Sequence, residues 1–255
     1  MSDVEVPLLG GNVTSGLVRV GSTVRRPAGP WSPSVHHFLL HLESVGFEGA
    51  PRSLGFDERG RPVLEFVAGE VRPPGSPADT EAGLRRVGRL LLELHDASAG
   101  YAPLPDAQWN TVIAPDREDL VVHHDAAPWN LVVGPDRWVL IDWDTAAPGS
   151  RLWDLSYAAH GFVPLAPGVG AADAGRRLRA LVDGYGLDEQ DRRELVALLH
   201  RRVLSMVDLL RAGAEDRVEP WATLWAGGHG DLWQRDADHV ARHEQALLAA
   251  LVDRA

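Results

Sequence analysis

Short apolar runs separated by turn formers dominate the first quarter of the chain. A Gly-rich stretch precedes two β-branched runs at residues 17–20 and 23–27, which Gly21-Ser22 joins. A second pair of runs lies within residues 52–69, on either side of an Asp-Glu-Arg-Gly turn at 57–60. Runs this short with such connections predict two β-hairpins.

Elsewhere the apolar residues recur with a helical period. Ser32-Pro33 predicts a helix start, with Ser as N-cap and Pro as first helical residue. Ser76 begins a second predicted helix, which runs to His95 with Leu84, Val87, Leu91 and Leu94 at helical spacing. Further helical patterns occupy residues 173–185, 189–212 and 237–253.

The middle of the chain predicts strand, loop and hairpin in that order. Two apolar runs, at 121–122 and 131–133, flank a polar loop, and a turn at 134–137 leads into a third run at 139–141. Acidic and amide residues lie where these strands end: Asp125, Asn130, Asp142 and Asp144. Such oxygens suit Mg²⁺, which uses few protein ligands together with substrate phosphates.

This stretch resembles a known catalytic segment. The pattern HxDxxxxN at residues 123–130, followed by Ile141-Asp142-Trp143-Asp144, is similar to that of the aminoglycoside phosphotransferase and choline-kinase-like family of small-molecule kinases. The resemblance implies an α+β, bilobal, protein-kinase-like fold with a small β-rich N-lobe and a larger, mostly helical C-lobe. The Pro/Gly-rich joint at 72–77 places the boundary, so the expected lobes are residues 1–70 and 71–255.

The resemblance also implies a reaction and roles for the residues. We expect ATP- or GTP-dependent phosphorylation of a hydroxyl on an aminoglycoside, amino sugar or amino alcohol. Asp125 would receive or orient the proton of that hydroxyl, while Asn130 and Asp142 would hold Mg²⁺. Asp144 would assist the metal or face the substrate. His123 and Asp154 are expected to support the catalytic loop.

The nucleotide side departs from the family pattern. Gly10 and Gly11 match the loop that covers the phosphates, and main-chain groups near Glu65 and Val67 match the segment that holds adenine, although an ordinary edge strand is the alternative there. The chain contains no lysine, so Arg25 (or Arg26, if the register slips by one) stands where the family has its phosphate-binding Lys. The partner Glu is absent too, with His36-His37 in its neighbourhood. Nucleotide binding is therefore either weakened or oriented differently.

The composition of the chain limits the classes of binding partner and the cellular location that we expect. A net charge of −11 disfavours nucleic acid and favours a cationic or sugar-like small molecule. No apolar run approaches the length of a membrane span, and the N-terminus lacks a secretory pattern. The chain has no cysteine, which leaves no disulfides. We expect a cytoplasmic protein that does not contact membranes.

Acidic and aromatic residues cluster near the C-terminus. Asp231, Trp221 and Trp225 are candidate substrate contacts through charge and cation–π interactions, but we favour an amphipathic surface helix with buried tryptophans. The sequence Gly-His-Gly-Asp-Leu at residues 228–232 resembles the family's commonest catalytic motif, but the fifth residue after Asp231 is Asp236 rather than Asn. We therefore predict a C-terminal loop there.

Two other functions compete with the kinase. A catalytically idle nucleotide-binding module is suggested by the missing Lys–Glu pair. A metal-dependent phosphohydrolase is suggested by His95-Asp96 together with His123-His124-Asp125, but that type of metal cluster requires helices around His123, where the sequence predicts strands.

Overall fold

The computed structural model describes residues 4–8, 16–71 and 76–253. Its N-terminal part is a five-stranded antiparallel sheet in the order β1-β2-β3-β5-β4, with one helix, α1, between β3 and β4 in the chain. Both predicted hairpins are confirmed by the pairing of β2 with β3 and of β4 with β5. Gly10 and Gly11 lie outside the described residues. The bounds are β1 Val6–Pro7, β2 Val18–Val20, β3 Thr23–Arg25, α1 Ser32–Ser44, β4 Ser53–Phe56 and β5 Pro62–Glu65.

The chain leaves this sheet directly after β5. Because β5 lies between β3 and β4, the alternative of an edge strand is wrong. Residues 66–69 then lead to β6 (Glu70–Val71), which pairs with a strand of the C-terminal part. Gly69 has a φ of 150°, and a side chain there would collide with the backbone at Val133.

The C-terminal part combines two small sheets with six helices. The first sheet has the antiparallel order β6-β8-β9, and the second pairs β7 with β10. These strands present the central loop and the acidic turn side by side. The bounds are α2 Glu81–Ser98, β7 Leu120–Val122, β8 Leu131–Val133, β9 Trp138–Leu140, β10 Ala147–Gly149, α3 Arg151–Phe162, α4 Ala171–Tyr185, α5 Glu189–Asp216, α6 Trp221–Ala226 and α7 His229–Val252.

The predicted α+β plan, with a β-rich N-terminal part and a larger helical remainder, is confirmed. Phe38 and Leu42 of α1 share one hydrophobic core with Leu91 and Leu94 of α2. Helices α2 and α4 approach so closely that a side chain on Gly88 would overlap the backbone of α4. No helix in the described ranges is long and apolar enough to cross a membrane.

Three local predictions were wrong in detail. The helix predicted from Ser76 opens with a 3₁₀ turn at Pro77–Asp79, and α2 starts only after Thr80, whose side chain accepts from the Gly83 N–H at 3.0 Å. In α1, Ser32 is the first helical residue, and its hydroxyl accepts from the N–H of Gly29. The loop predicted at 228–232 is instead the start of α7. Gly228 is the residue that precedes this helix, and its φ of 83° turns the chain between α6 and α7.

Candidate active site

Asp154 fixes the loop that follows β7. Its Oδ1 accepts from the backbone N–H of His124 at 2.6 Å, and its Oδ2 lies 3.1 Å from Nε2 of His95. His124 has a φ of 64°, in the left-handed region that non-glycine residues seldom occupy. Although burial alone would raise it, the hydrogen bond and charge of His95 lower the pKa of Asp154 to about 2. A buried carboxylate thus holds the turn that delivers Asp125.

Two donors hold the Asp125 carboxylate. The Asn130 amide donates to Oδ2 at 2.7 Å and also to the main-chain oxygen of Asp125 at 2.9 Å. The Tyr157 hydroxyl, from α3, donates to Oδ1 at 2.7 Å. Burial raises the pKa of Asp125, the charge of Asp142 adds to that effect, and the Tyr157 hydrogen bond opposes it. The carboxylate is therefore fixed in position and more basic than an exposed Asp.

The acidic turn after β9 lies beside Asp125 and carries an unexpected partner. Asp142 has φ and ψ of 64° and opens the 3₁₀ turn Trp143–Thr145. The guanidinium of Arg26, which follows β3, donates through one nitrogen to Asp142 Oδ1 at 2.5 Å and to Asp144 Oδ2 at 2.6 Å. Burial raises the pKa of Asp144, and the positive charge of Arg26 opposes that shift. Arg26 thus links the N-terminal sheet to the acidic turn.

His123 contacts both the loop that carries Asp125 and the acidic turn. Its Nε2 lies 3.1 Å from the carbonyl of Ile141, its Nδ1 accepts from the Asp125 N–H at 3.3 Å, and its ring packs on Trp143 at 4.6 Å between centroids. Both ring nitrogens are occupied, and a strand precedes the residue. This environment disfavours the phosphohydrolase interpretation, which needs a metal-binding histidine between helices.

The predicted nucleotide residues are only partly brought together. Arg25 donates to the Thr23 hydroxyl and lies 3.8 Å from Asp57, so it faces away from the acidic turn. The Glu65 side chain pairs with Arg137 at 2.5 Å. Val67 lies in the connection between the two sheets. Of the two adjacent arginines, Arg26 is the one at the site.

The histidines of α1 do not pair with an arginine. Nδ1 of His36 contacts the Ser53 hydroxyl at 2.7 Å, and Nδ1 of His37 contacts the Tyr101 hydroxyl at 2.9 Å. These contacts stay within the N-terminal half of the chain. Among the described residues, Arg26 pairs with Asp142 and Asp144 and not with a residue of α1.

Sequence reasoning missed two further residues around Asp125. Arg202 of α5 donates to the His124 carbonyl at 3.3 Å, and its guanidinium carbon lies 4.3 Å from the centre of the Tyr157 ring. Burial lowers the pKa of Arg202. Tyr157 and Arg202 sit within helical apolar patterns, and no local signal in the sequence distinguishes them from core residues.

The donor set fits a divalent cation that arrives with phosphates. In the described part of the chain, no three His, Cys or acidic side chains form a complete metal cluster. Asn130, Asp142 and Asp144 instead supply one amide and two carboxylates next to Asp125. Mg²⁺ keeps several waters and uses one or two carboxylates plus phosphate oxygens, so this sparse set is sufficient for it.

A cavity of about 420 Å³ lies next to the loop formed by residues 123–130. Its walls include Gly161, which packs against Ala127 and Pro128 of that loop, together with four polar residues: Asp79, His160, Arg177 and Asp236. The predicted substrate residues Asp231, Trp221 and Trp225 are not among its walls. Asp231 is exposed, and the two tryptophans pack, half-buried, beside α5 and α7.

One tryptophan does connect the cavity to Asp125. The Trp233 ring stacks on His160 with centroids 4.5 Å apart and lies nearly parallel to Tyr157 at 6.4 Å. Nε2 of His160 in turn lies 3.1 Å from Asp236. A continuous set of rings therefore runs from His160 in the cavity wall to Tyr157, whose hydroxyl donates to the Asp125 carboxylate.

Comparison with known proteins places these features in context. Residues 106–198 match the APH model, described as the phosphotransferase enzyme family. The chain is 34% identical over 270 residues to the trifolitoxin immunity protein of Rhizobium leguminosarum bv. trifolii, covering 97% of this chain and 98% of the relative.

Two solved structures share the fold at low sequence identity. Amicoumacin kinase in complex with AMP-PNP, Ca²⁺ and its ligand aligns with a TM-score of 0.66 and 12% identity, covering 96% of this chain and 87% of that one. Spectinomycin phosphotransferase in complex with ADP and spectinomycin aligns with a TM-score of 0.62 and 13% identity, covering 94% and 93%. At such identities the likeness concerns the fold.

Proposed function

Because the chain belongs to the APH phosphotransferase enzyme family, we propose that it transfers the γ-phosphoryl group of ATP, held with Mg²⁺, to a hydroxyl of a small molecule. Residues 1–70 would form the nucleotide lobe, with main-chain groups near Glu65 and Val67 holding the base and Gly10-Gly11 covering the phosphates. Residues 71–255 would carry the catalytic loop and the acceptor site.

The arrangement around Asp125 carries this proposal. In the reaction, the acceptor oxygen bonds to the γ-phosphorus, the bond to the nucleoside diphosphate breaks, and the hydroxyl proton passes to the Asp125 carboxylate. Each carboxylate oxygen accepts one hydrogen bond in the structure, from Asn130 or Tyr157, and keeps capacity for another. The raised pKa of Asp125 suits a proton acceptor. An idle module would have no need for a carboxylate held in this way.

Positioning and charge neutralisation supply the rest of the catalysis. Asn130, Asp142 and Asp144 are the residues that would hold Mg²⁺, and the ion would neutralise the phosphate oxygens when bound. Arg26, rather than Arg25, is the cation of this chain that can reach those phosphates, because it already lies on both aspartates. Asp154 and His123 maintain the loop geometry.

We propose that the cavity beside the catalytic loop takes the acceptor. Its volume lies in the range of small-molecule sites. Two aspartates, Asp79 and Asp236, favour an amine-bearing molecule. Nε of Arg177 is buried and has no hydrogen-bond partner among the described residues, so it can donate to a polar group of the ligand. Sugars and amino alcohols with an ammonium group match this lining.

A second, compatible role is protection against an antimicrobial compound. The identity with the trifolitoxin immunity protein extends over nearly the full length of both chains. The two structural relatives named above are a kinase and a phosphotransferase, each solved in complex with the compound in its name. We propose that the acceptor of this chain is such a compound. Protection by binding alone would correspond to the idle-module alternative.

One experiment tests both roles. Purified protein is screened for ATP consumption against aminoglycosides, amino sugars, amino alcohols and peptide toxins, and cells expressing it are challenged with the same compounds. Asp125→Asn is expected to abolish turnover and protection together, whereas Asp238→Asn, on the exposed face of α7, leaves both unchanged. Protection that survives in Asp125→Asn would contradict the kinase proposal and favour binding alone.

A further inference from the structure

Arg26 neutralises the two carboxylates of the acidic turn. Its side chain is only 5% exposed, and a single guanidinium nitrogen lies on one oxygen of Asp142 and one of Asp144. Asp144 is largely buried, and its neighbour Asp142 is one-third exposed. Two like charges this close, with little water around one of them, require a counter-cation, and Arg26 supplies it.

The guanidinium holds the same two carboxylates that a divalent ion would need. An ion that bridged Asp142 and Asp144 would compete with Arg26 for their oxygens, and it would be repelled by the guanidinium if that group stayed in place. A buried arginine cannot escape this conflict by losing its proton, because a guanidinium stays charged throughout the ordinary pH range. A bare metal ion must therefore move a bound side chain.

A nucleotide offers Arg26 another anionic partner. Phosphate oxygens accept hydrogen bonds from a guanidinium as well as carboxylates do. If the guanidinium of Arg26 donates to the phosphates instead, Asp142 and Asp144 become available to the metal. Binding of the nucleotide would then promote binding of the metal, and the converse follows by linkage.

We propose that Arg26 is a resident counter-cation that blocks bare metal ions and makes metal binding depend on the nucleotide. This inference rests on the proposed function for the identity of the anion, but the block on bare metal holds whether or not the protein turns over a substrate. Arg25, one residue earlier, serves as the matched arginine, because it faces Thr23 and Asp57 instead.

The test measures Mn²⁺ binding by the electron paramagnetic resonance signal of the free ion, with and without AMP-PNP. Without nucleotide, we expect Arg26→Gln to bind Mn²⁺ at least tenfold more tightly than the wild type, and Arg25→Gln to match the wild type. With AMP-PNP, we expect the Mn²⁺ affinity of the wild type to rise by a factor at least ten times larger than that of Arg26→Gln, because in the variant the nucleotide adds its phosphate oxygens but has no guanidinium to draw off the two aspartates.

A second variant, which keeps the positive charge, is needed in case Arg26→Gln does not fold. Arg26→Lys keeps one positive charge, but a shorter, single ammonium holds two carboxylates less well, so bare Mn²⁺ should bind it more tightly than the wild type by a smaller factor. Equal Mn²⁺ affinities of the wild type and both Arg26 variants without nucleotide would overturn the inference. A wild type that takes up no AMP-PNP, beside variants that bind bare Mn²⁺ tightly, would instead contradict the proposed function and leave the block established.

Discussion

Asp154 should contribute measurably to stability because its carboxylate is fully buried and its charge is stabilised by hydrogen bonds with the His124 N–H and with His95. In Asp154→Asn the amide oxygen can still accept from the His124 N–H, and the amide nitrogen faces His95, so the shape is kept and only the charge is lost. Lowering the pKa of Asp154 from its ordinary 3.8 to about 2 is worth roughly 2 to 3 kcal/mol in stability. We expect the variant to lose that much free energy of unfolding at pH 7.

The pH dependence has a definite sign. The pKa of Asp154 is lower in the folded protein than in the unfolded chain, so its stabilisation is complete above pH 5 and is lost as the pH falls towards 2. At pH 3 the difference between wild type and Asp154→Asn should already be smaller by about 1 kcal/mol. Other carboxylates titrate equally in both proteins and cancel in the comparison.

Urea unfolding followed by tryptophan fluorescence at pH 7, 4 and 3 measures this difference. Hydrogen exchange at the His124 amide adds a local readout, because the N–H bonds directly to Asp154. Asp208→Asn is the control, since that side chain is 72% exposed in a surface ion pair with Arg211, and such a pair is worth at most about 1 kcal/mol. A loss in Asp154→Asn that is the same at pH 7 and pH 3 would refute the reasoning.

Three further changes test other contacts. Tyr157→Phe removes a donor to Asp125, so the Asp125 pKa should rise further and the acid limb of the rate–pH profile should move to higher pH; an unshifted limb would exclude Asp125 as the titrating group. Gly88→Ala should cost about 3 kcal/mol in thermal or urea unfolding, because its Cβ would overlap the backbone of α4, whereas Gly100→Ala, which meets open space, should stay within about 0.5 kcal/mol. Asp79→Asn should raise the KM for a cationic acceptor and leave the KM for ATP unchanged; equal KM values for the acceptor would remove the cavity from the proposed site.

The acidic half of the site was predictable because it is local in the chain. Asp125 and Asn130 share one loop between strands, and Asp142 and Asp144 share the next turn, so alternation of apolar and polar residues was enough to place them at neighbouring strand ends. The choice between Arg25 and Arg26 was different. Successive side chains on a strand face opposite ways, so the answer depends on the register of β3 against β5, in which Arg25 pairs with Val63.

The partners of these acids come from distant parts of the chain, which is why pattern reasoning did not find them. Tyr157 and Arg202 reach the catalytic loop from α3 and α5, across 32 and 78 residues. Each looks like an ordinary member of a helix face. Charge balance offered a better guide than local pattern. A buried group of carboxylates in a chain without lysine needs an arginine beside it, and Arg26 meets that need in the structure. The same charge balance implies that a ligand that displaces these carboxylates must supply another anionic partner for Arg26.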